Sequence, residues 1–166
     1  MSWSAMKKRL EEEFLAEKLR GRIKYHCPGC GECSDEEALV RFDGRELLLG
    51  EYFVYDRCAV IDLTRAIYRS GDLTRLEVLS KAMISALEKG VLDSQIVLFT
   101  AHRFINSPIE ASLYGENPLA RMYAVLDRRT GKRRLKQLVG RINEEPEWLQ
   151  QFCLIRLQAE GINAGK

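Results

Sequence analysis

The chain has 166 residues, 46% hydrophobic and 30% charged, and its 26 basic against 24 acidic residues leave a formal charge of +2. That composition excludes a disordered or fibrous chain, and a single domain of this length buries about 70% of the surface its unfolded form exposes. Near-cancellation of charge excludes a strong global attraction to nucleic acid or to an anionic membrane, and no apolar run reaches the roughly 18 residues that span a bilayer.

In chain order, Met6, Leu10, Phe14, Leu15 and Leu19 trace the apolar stripe of one amphipathic helix, which Gly21 ends. The charges of Lys7, Lys8, Arg9, Glu11, Glu12 and Glu13 speak against a secretory signal. Ile23, Tyr25 and Cys27 alternate as in a half-buried strand, and the runs 38–42 and 45–49 flank Asp43-Gly44, a strong hairpin signal. A further strand is expected over 52–61.

Beyond Asp62 the period becomes helical. Thr74 and Glu77 form a capping box, Asp93 caps a helix over 94–106, Ser107-Pro108-Ile109-Glu110 repeats the box, and Asn117-Pro118 opens the next helix. Two more helices are expected over 132–142 and 146–160, the last stopped by Gly161. The prolines recur at intervals near those of stacked helix pairs, and Asn117 to Leu135 is similar to the repeat pattern of HEAT-like proteins. The expected fold class is α+β. An N-terminal helix and a small antiparallel sheet occupy residues 1–60, and a C-terminal all-helical bundle or short HEAT-like array over 61–166 packs with them as one continuous body.

Trp3-Ser4 with its Lys/Glu-rich helix, Cys33-Ser34-Asp35-Glu36-Glu37 with the Asp43-Gly44 hairpin, and Asn117-Pro118 leading into Leu126-Asp127-Arg128-Arg129-Thr130-Gly131-Lys132-Arg133-Arg134-Leu135 resemble a small family of uncharacterised bacterial cytoplasmic proteins. The resemblance covers most of the chain and implies a cytoplasmic protein. It carries over no catalytic residue.

Three groups of residues bear on function. Cys27 and Cys30, with Cys33 and with Cys58 or His26 completing the set, could supply four donors to a structural zinc, and the flanking glycines would allow the tight turn. The three cysteines also match part of a bacterial iron–sulfur run in which the remote Cys58 would have to substitute for the fourth. A second Cys-x-x-Cys knuckle is missing, so a glycine-rich loop of reduced thiols is the competing reading. Thiol spacing of this kind suits a reducing compartment, hence the cytoplasm.

The second group is Arg128, Arg129, Lys132, Arg133, Arg134, Lys136 and Arg141, seven cations without an acidic residue between them. On a helix with Leu135, Leu138, Val139 and Ile142 inward, Arg133, Arg134 and Arg141 face outward and could meet phosphates, or pair with glutamates instead. Third, His102 shares a helix face with Leu98 and Ile105, which suits a partly buried imidazole better than a general base. No nucleophile elbow, phosphate-cradling loop or His-x-x-x-His pair occurs, so the reading is against an enzyme. The first expectation is a protein-interaction module using its helical array, with an unidentified protein partner. The alternative is nucleic-acid binding through the basic face.

Overall fold

The computed structural model describes residues 2–27, 38–49, 84, 85, 87, 88, 90, 92 and 94–163. The strand expected over 52–61, the start of the helix opened by Thr74 and the Asp93 cap lie outside these residues. At the end of that helix Ile84, Ser85, Leu87 and Glu88 are helical, Leu87 is buried, and Gly90 takes a φ of 80°.

Ser2 caps α1 (Trp3–Lys8), its hydroxyl accepting from the Ala5 amide at 3.4 Å. The helix then widens into a π-helix over Arg9–Phe14, closed by the Leu15 amide donating to the Leu10 carbonyl at 3.1 Å. The single helix expected to reach Gly21 therefore stops at Phe14, for a reason that lies far along the chain. The Ala16 amide donates to the Leu126 carbonyl at 2.9 Å and the Arg128 amide to the Phe14 carbonyl at 2.8 Å, making Leu15 and Asp127 an antiparallel bridge. These bonds need extended backbone at Leu15 and Ala16, and tertiary pairing overrides the local helical period. A 3-10 turn over Glu17–Leu19 and Gly21, at φ 78°, then deliver the chain to the sheet.

The sheet has three antiparallel strands in the order β1 (Ile23–His26), β2 (Leu39–Phe42) and β3 (Arg45–Leu49). Ile23 pairs with Phe42 and His26 with Leu39, while a bulge between Val40 and Arg41 shifts the register to β3. Asp43 at φ 48° and Gly44 at φ 78° form the expected two-residue turn with both central residues left-handed. Arg22 braces that turn, with Nε 2.9 Å and Nη2 2.6 Å from the Asp43 carboxylate and the guanidinium 4.5 Å from the centre of the Phe42 ring. On the edge of β1 away from β2, the Tyr25 amide donates to Glu11 Oε1 at 2.8 Å, and Lys24 Nζ lies 3.0 Å from Oε2. The buried Glu11 side chain thus occupies an edge amide that would otherwise offer itself to another strand.

The helical half contains α2 (Ser94–Ile105), α3 (Ile109–Leu113), α4 (Pro118–Leu126), α5 (Lys132–Val139) and α6 (Glu147–Glu160), with a 3-10 turn over Ile142–Glu144. Asn117 opens α4 as its sequence promises, Oδ1 accepting from the Leu119 and Ala120 amides at 2.9 and 3.1 Å. Pro118, Leu119 and every residue from Met122 to Leu126 are buried, because α2, α3 and α6 all pack on α4. The second expected capping box does not form. Pro108 occupies the cap of α3, and the Ser107 hydroxyl instead donates backward to the Arg103 carbonyl at 2.7 Å. Gly161 ends α6 in the left-handed conformation, as expected.

Sheet and helices share one apolar core running from Met6 to Leu157. Its centre is aromatic: Phe14 packs edge-on against Phe104 at 5.8 Å, Phe104 meets Tyr123 at 5.4 Å, and Tyr123 meets Tyr25 at 5.4 Å. Trp148 adds a polar tie, its indole donating to the Leu87 carbonyl at 2.9 Å.

Candidate functional site

The basic run begins where α4 ends, at a corner built from Asp127 to Thr130. Asp127 leaves the helix in extended conformation with its side chain fully buried. Oδ1 accepts from the Arg129 amide at 2.7 Å, and both oxygens accept from the Arg129 guanidinium at 2.8 to 3.1 Å. That guanidinium lies 4.6 Å from the centre of the Phe14 ring and 5.5 Å from that of Phe104. The Thr130 hydroxyl donates to the Ala124 carbonyl at 2.6 Å. From α6, the buried Arg156 donates to the Val125 and Thr130 carbonyls, each at 3.1 Å, and ion-pairs with Glu160. Every buried side-chain nitrogen and oxygen of this corner has a hydrogen-bond partner within the chain. Its chemistry holds the chain together, and Arg129 belongs to the frame.

The seven cations therefore separate into two sets. Arg129 is held by Asp127, Arg134 ion-pairs with Glu110 and donates to the Arg129 carbonyl at 3.2 Å, and Arg141 lies 3.3 Å from Glu144 in an exposed pair. Arg128, Lys132, Arg133 and Lys136 stand exposed, and no acidic side chain among the described residues forms an ion pair with them. Arg134 was expected on the outer face with Arg133; it is half-buried against Glu110, because α3 lies beside the start of α5. The inward stripe matches expectation, with Leu135 and Ile142 buried and Leu138 and Val139 half-buried. At about 100° per residue, Lys132, Arg133 and Lys136 fall within one arc of about 100° on α5. Lys132 and Lys136 are about 6 Å apart along the axis.

Beneath α5, Leu113, Val125, Leu138, Ile142 and Cys153 line a small cleft whose rim is the Arg121–Glu145 pair at 2.7 Å. Arg121 also donates to the Gly115 and Glu116 carbonyls at 2.8 Å each. Burial is the main cause that pushes the Cys153 thiol up to about 12, and Glu145 adds to it. A thiol held neutral in this way is inert.

Of the four cysteines proposed as zinc ligands, Cys27 is buried at the end of β1, and Cys30, Cys33 and Cys58 lie outside the described residues. Among the described residues no group of three or more His, Cys, Asp and Glu side chains is placed to hold a metal ion. His102 departs from expectation. Its helix turns Ala101, Phe104 and Ile105 inward and leaves the imidazole in solvent. Sequence reasoning also missed the buried pair Tyr25 and Tyr123, whose phenols desolvation holds well above their ordinary value, and the Glu11 carboxylate that contacts β1. Alternation marked Tyr25 as inward-facing, but nothing local marked its partner nearly a hundred positions away.

Among the described residues no helix is long and apolar enough to cross a membrane. A family model described as the SF0329 protein family matches residues 2–157, and the chain belongs to that family. Comparison with curated proteins and with solved structures finds no match.

Proposed function

We propose that this member of the SF0329 protein family is a non-catalytic binding protein that engages a polyanionic partner through Arg128, Lys132, Arg133 and Lys136. One observation carries the reading: of seven clustered cations, these four are exposed and spared by the ion pairs that occupy the other three. An exposed cation without a carboxylate partner loses little by meeting an external anion, whereas Arg129 would first have to abandon Asp127. The net charge of +2 makes the attraction local and strongly salt-dependent.

Retention on immobilised heparin tests this. The wild-type chain is expected to bind at low salt, and Lys132→Gln/Arg133→Gln/Lys136→Gln to elute earlier. Elution of the wild type at the lowest salt overturns the proposal.

A second reading, the protein-interaction module first suggested by the helical, HEAT-like half, has its own support in Phe99, Tyr114 and Leu154. These large apolar side chains are 41%, 52% and 46% exposed on that half. A structural zinc on Cys27, Cys30, Cys33 and Cys58 accompanies either reading as a proposal. Metal analysis of protein purified without chelator decides it, and less than about a tenth of an equivalent of zinc ends it.

A further inference from the structure

We infer that the polyanion is the phosphodiester backbone of duplex nucleic acid, bound without regard to base sequence; the inference rests on the polyanion reading above. Three observations choose this partner over an acidic protein segment or a single strand.

The first is charge density. Lys132, Arg133 and Lys136 place three cations within about 6 Å of helix axis, and Arg128 adds a fourth from the corner that precedes α5. A duplex presents one negative charge per about 1.7 Å of its axis, so a surface of this length meets several phosphates at once. An extended acidic peptide advances about 3.3 Å per residue and turns successive side chains to opposite sides. It therefore offers one face a charge only about every 6.6 Å, about half the linear density of a single duplex strand at about 3.4 Å per phosphate.

The second is polarity. The arc holding the three α5 cations carries no apolar side chain: Leu135, Leu138 and Val139 all lie on the inward side, and the neighbouring Gln137 is exposed and polar. Protein interfaces draw their energy from an apolar centre, which this arc lacks, whereas phosphate contacts release counterions and need no such centre.

The third concerns bases. No aromatic residue lies on α5 to stack an unpaired base, so the arc is built for a backbone. Arginine and lysine heads that touch only phosphates position a protein without reading sequence.

The test is fluorescence anisotropy of a labelled mixed-sequence duplex of about 20 base pairs, titrated from 50 to 200 mM salt, with heparin retention measured alongside. Four phosphate contacts predict a slope of log affinity against log salt of about −3.6, or a loss of about 150-fold across that range. Lys132→Gln/Arg133→Gln/Lys136→Gln should flatten the slope to about −0.9. Arg41→Gln, which makes the same kind of charge change at a cation already paired with Glu46 on the hairpin, should leave the slope unaltered.

Heparin retention without duplex binding at 50 mM salt overturns the inference and leaves the polyanion reading standing. So does a duplex slope shallower than about −2, or competition by polyglutamate as effective as duplex at equal charge. Tighter binding of a single strand than of the duplex also overturns it. Failure of heparin retention removes both readings together. Circular dichroism of each variant confirms that a lost slope is not a lost fold.

Discussion

Asp127 grips Arg129 through both carboxylate oxygens while the same guanidinium lies over the Phe14 ring, 4.6 Å from its centre. An arginine from the most basic stretch of the chain is thereby a bolt between the N-terminal π-helix and the corner after α4. Asp127→Ala leaves that guanidinium unpaired beside the core, and the expected loss is about 3 kcal/mol, read as a fall of about 6–12 °C in Tm. Arg129→Lys should also destabilise, since an ammonium can neither grip two oxygens nor stack flat on a ring. Neither change should alter the salt slope of duplex binding in protein that remains folded.

Glu11→Ala removes the acceptor for the Tyr25 amide and the partner of Lys24. An unsatisfied buried donor costs about 1–3 kcal/mol, which urea denaturation should register. The bared edge of β1 should also promote self-association, visible as concentration-dependent light scattering. Glu11→Gln keeps an oxygen for the amide and should recover part of the stability while losing the ion pair.

Alkaline pH should unfold the protein earlier than its acidic residues would suggest. Cys153 is raised from 9.0 to about 12, and the Tyr25 and Tyr123 phenols are raised from 10.0, in each case chiefly by burial. Above pH 9 the unfolded chain gives up these protons and the folded chain keeps them, so stability that is complete below pH 9 drains away as pH climbs toward 12. Thermal melts should show this group contributing almost no slope between pH 6 and about 8 and a steepening fall thereafter. Cys153→Ala should delay the onset. A thiol reagent at pH 8 should modify Cys153 only after denaturant is added.

Asn117→Ala should cost about 1 kcal/mol, the usual worth of an N-cap, in equilibrium denaturation. The side chain also donates to the Thr100 hydroxyl at 3.2 Å, tying the start of α4 to α2, so the loss should exceed that of Ser2→Ala at the exposed cap of α1.

What the sequence displayed and what it hid differ by range. The Asp43-Gly44 turn, the Asn117-Pro118 start and the Gly161 stop depend on residues within four positions, and each forms as read. The break at Leu15 does not, because its cause is the backbone of Leu126 and Arg128. The basic run was visible as a run. Its division was not, since Glu110, which claims Arg134, sits in a helix two elements earlier, and the value of Asp127 depends on rings supplied by Phe14 and Phe104. His102 shows the limit of a periodic argument: sharing a stripe with Leu98 and Ile105 does not decide on which side of that stripe the core ends.

The bridge between Leu15 and Asp127 joins points about 110 residues apart, and drawing a chain segment of that length into contact costs roughly 4 kcal/mol of configurational freedom. Until that ring of backbone closes, neither the contact of the guanidinium with Phe14 nor the strap to Leu126 exists. Assembly of this molecule should accordingly be governed by a single distant encounter, slow for its size, with the two ends of the polypeptide arriving at the native topology together.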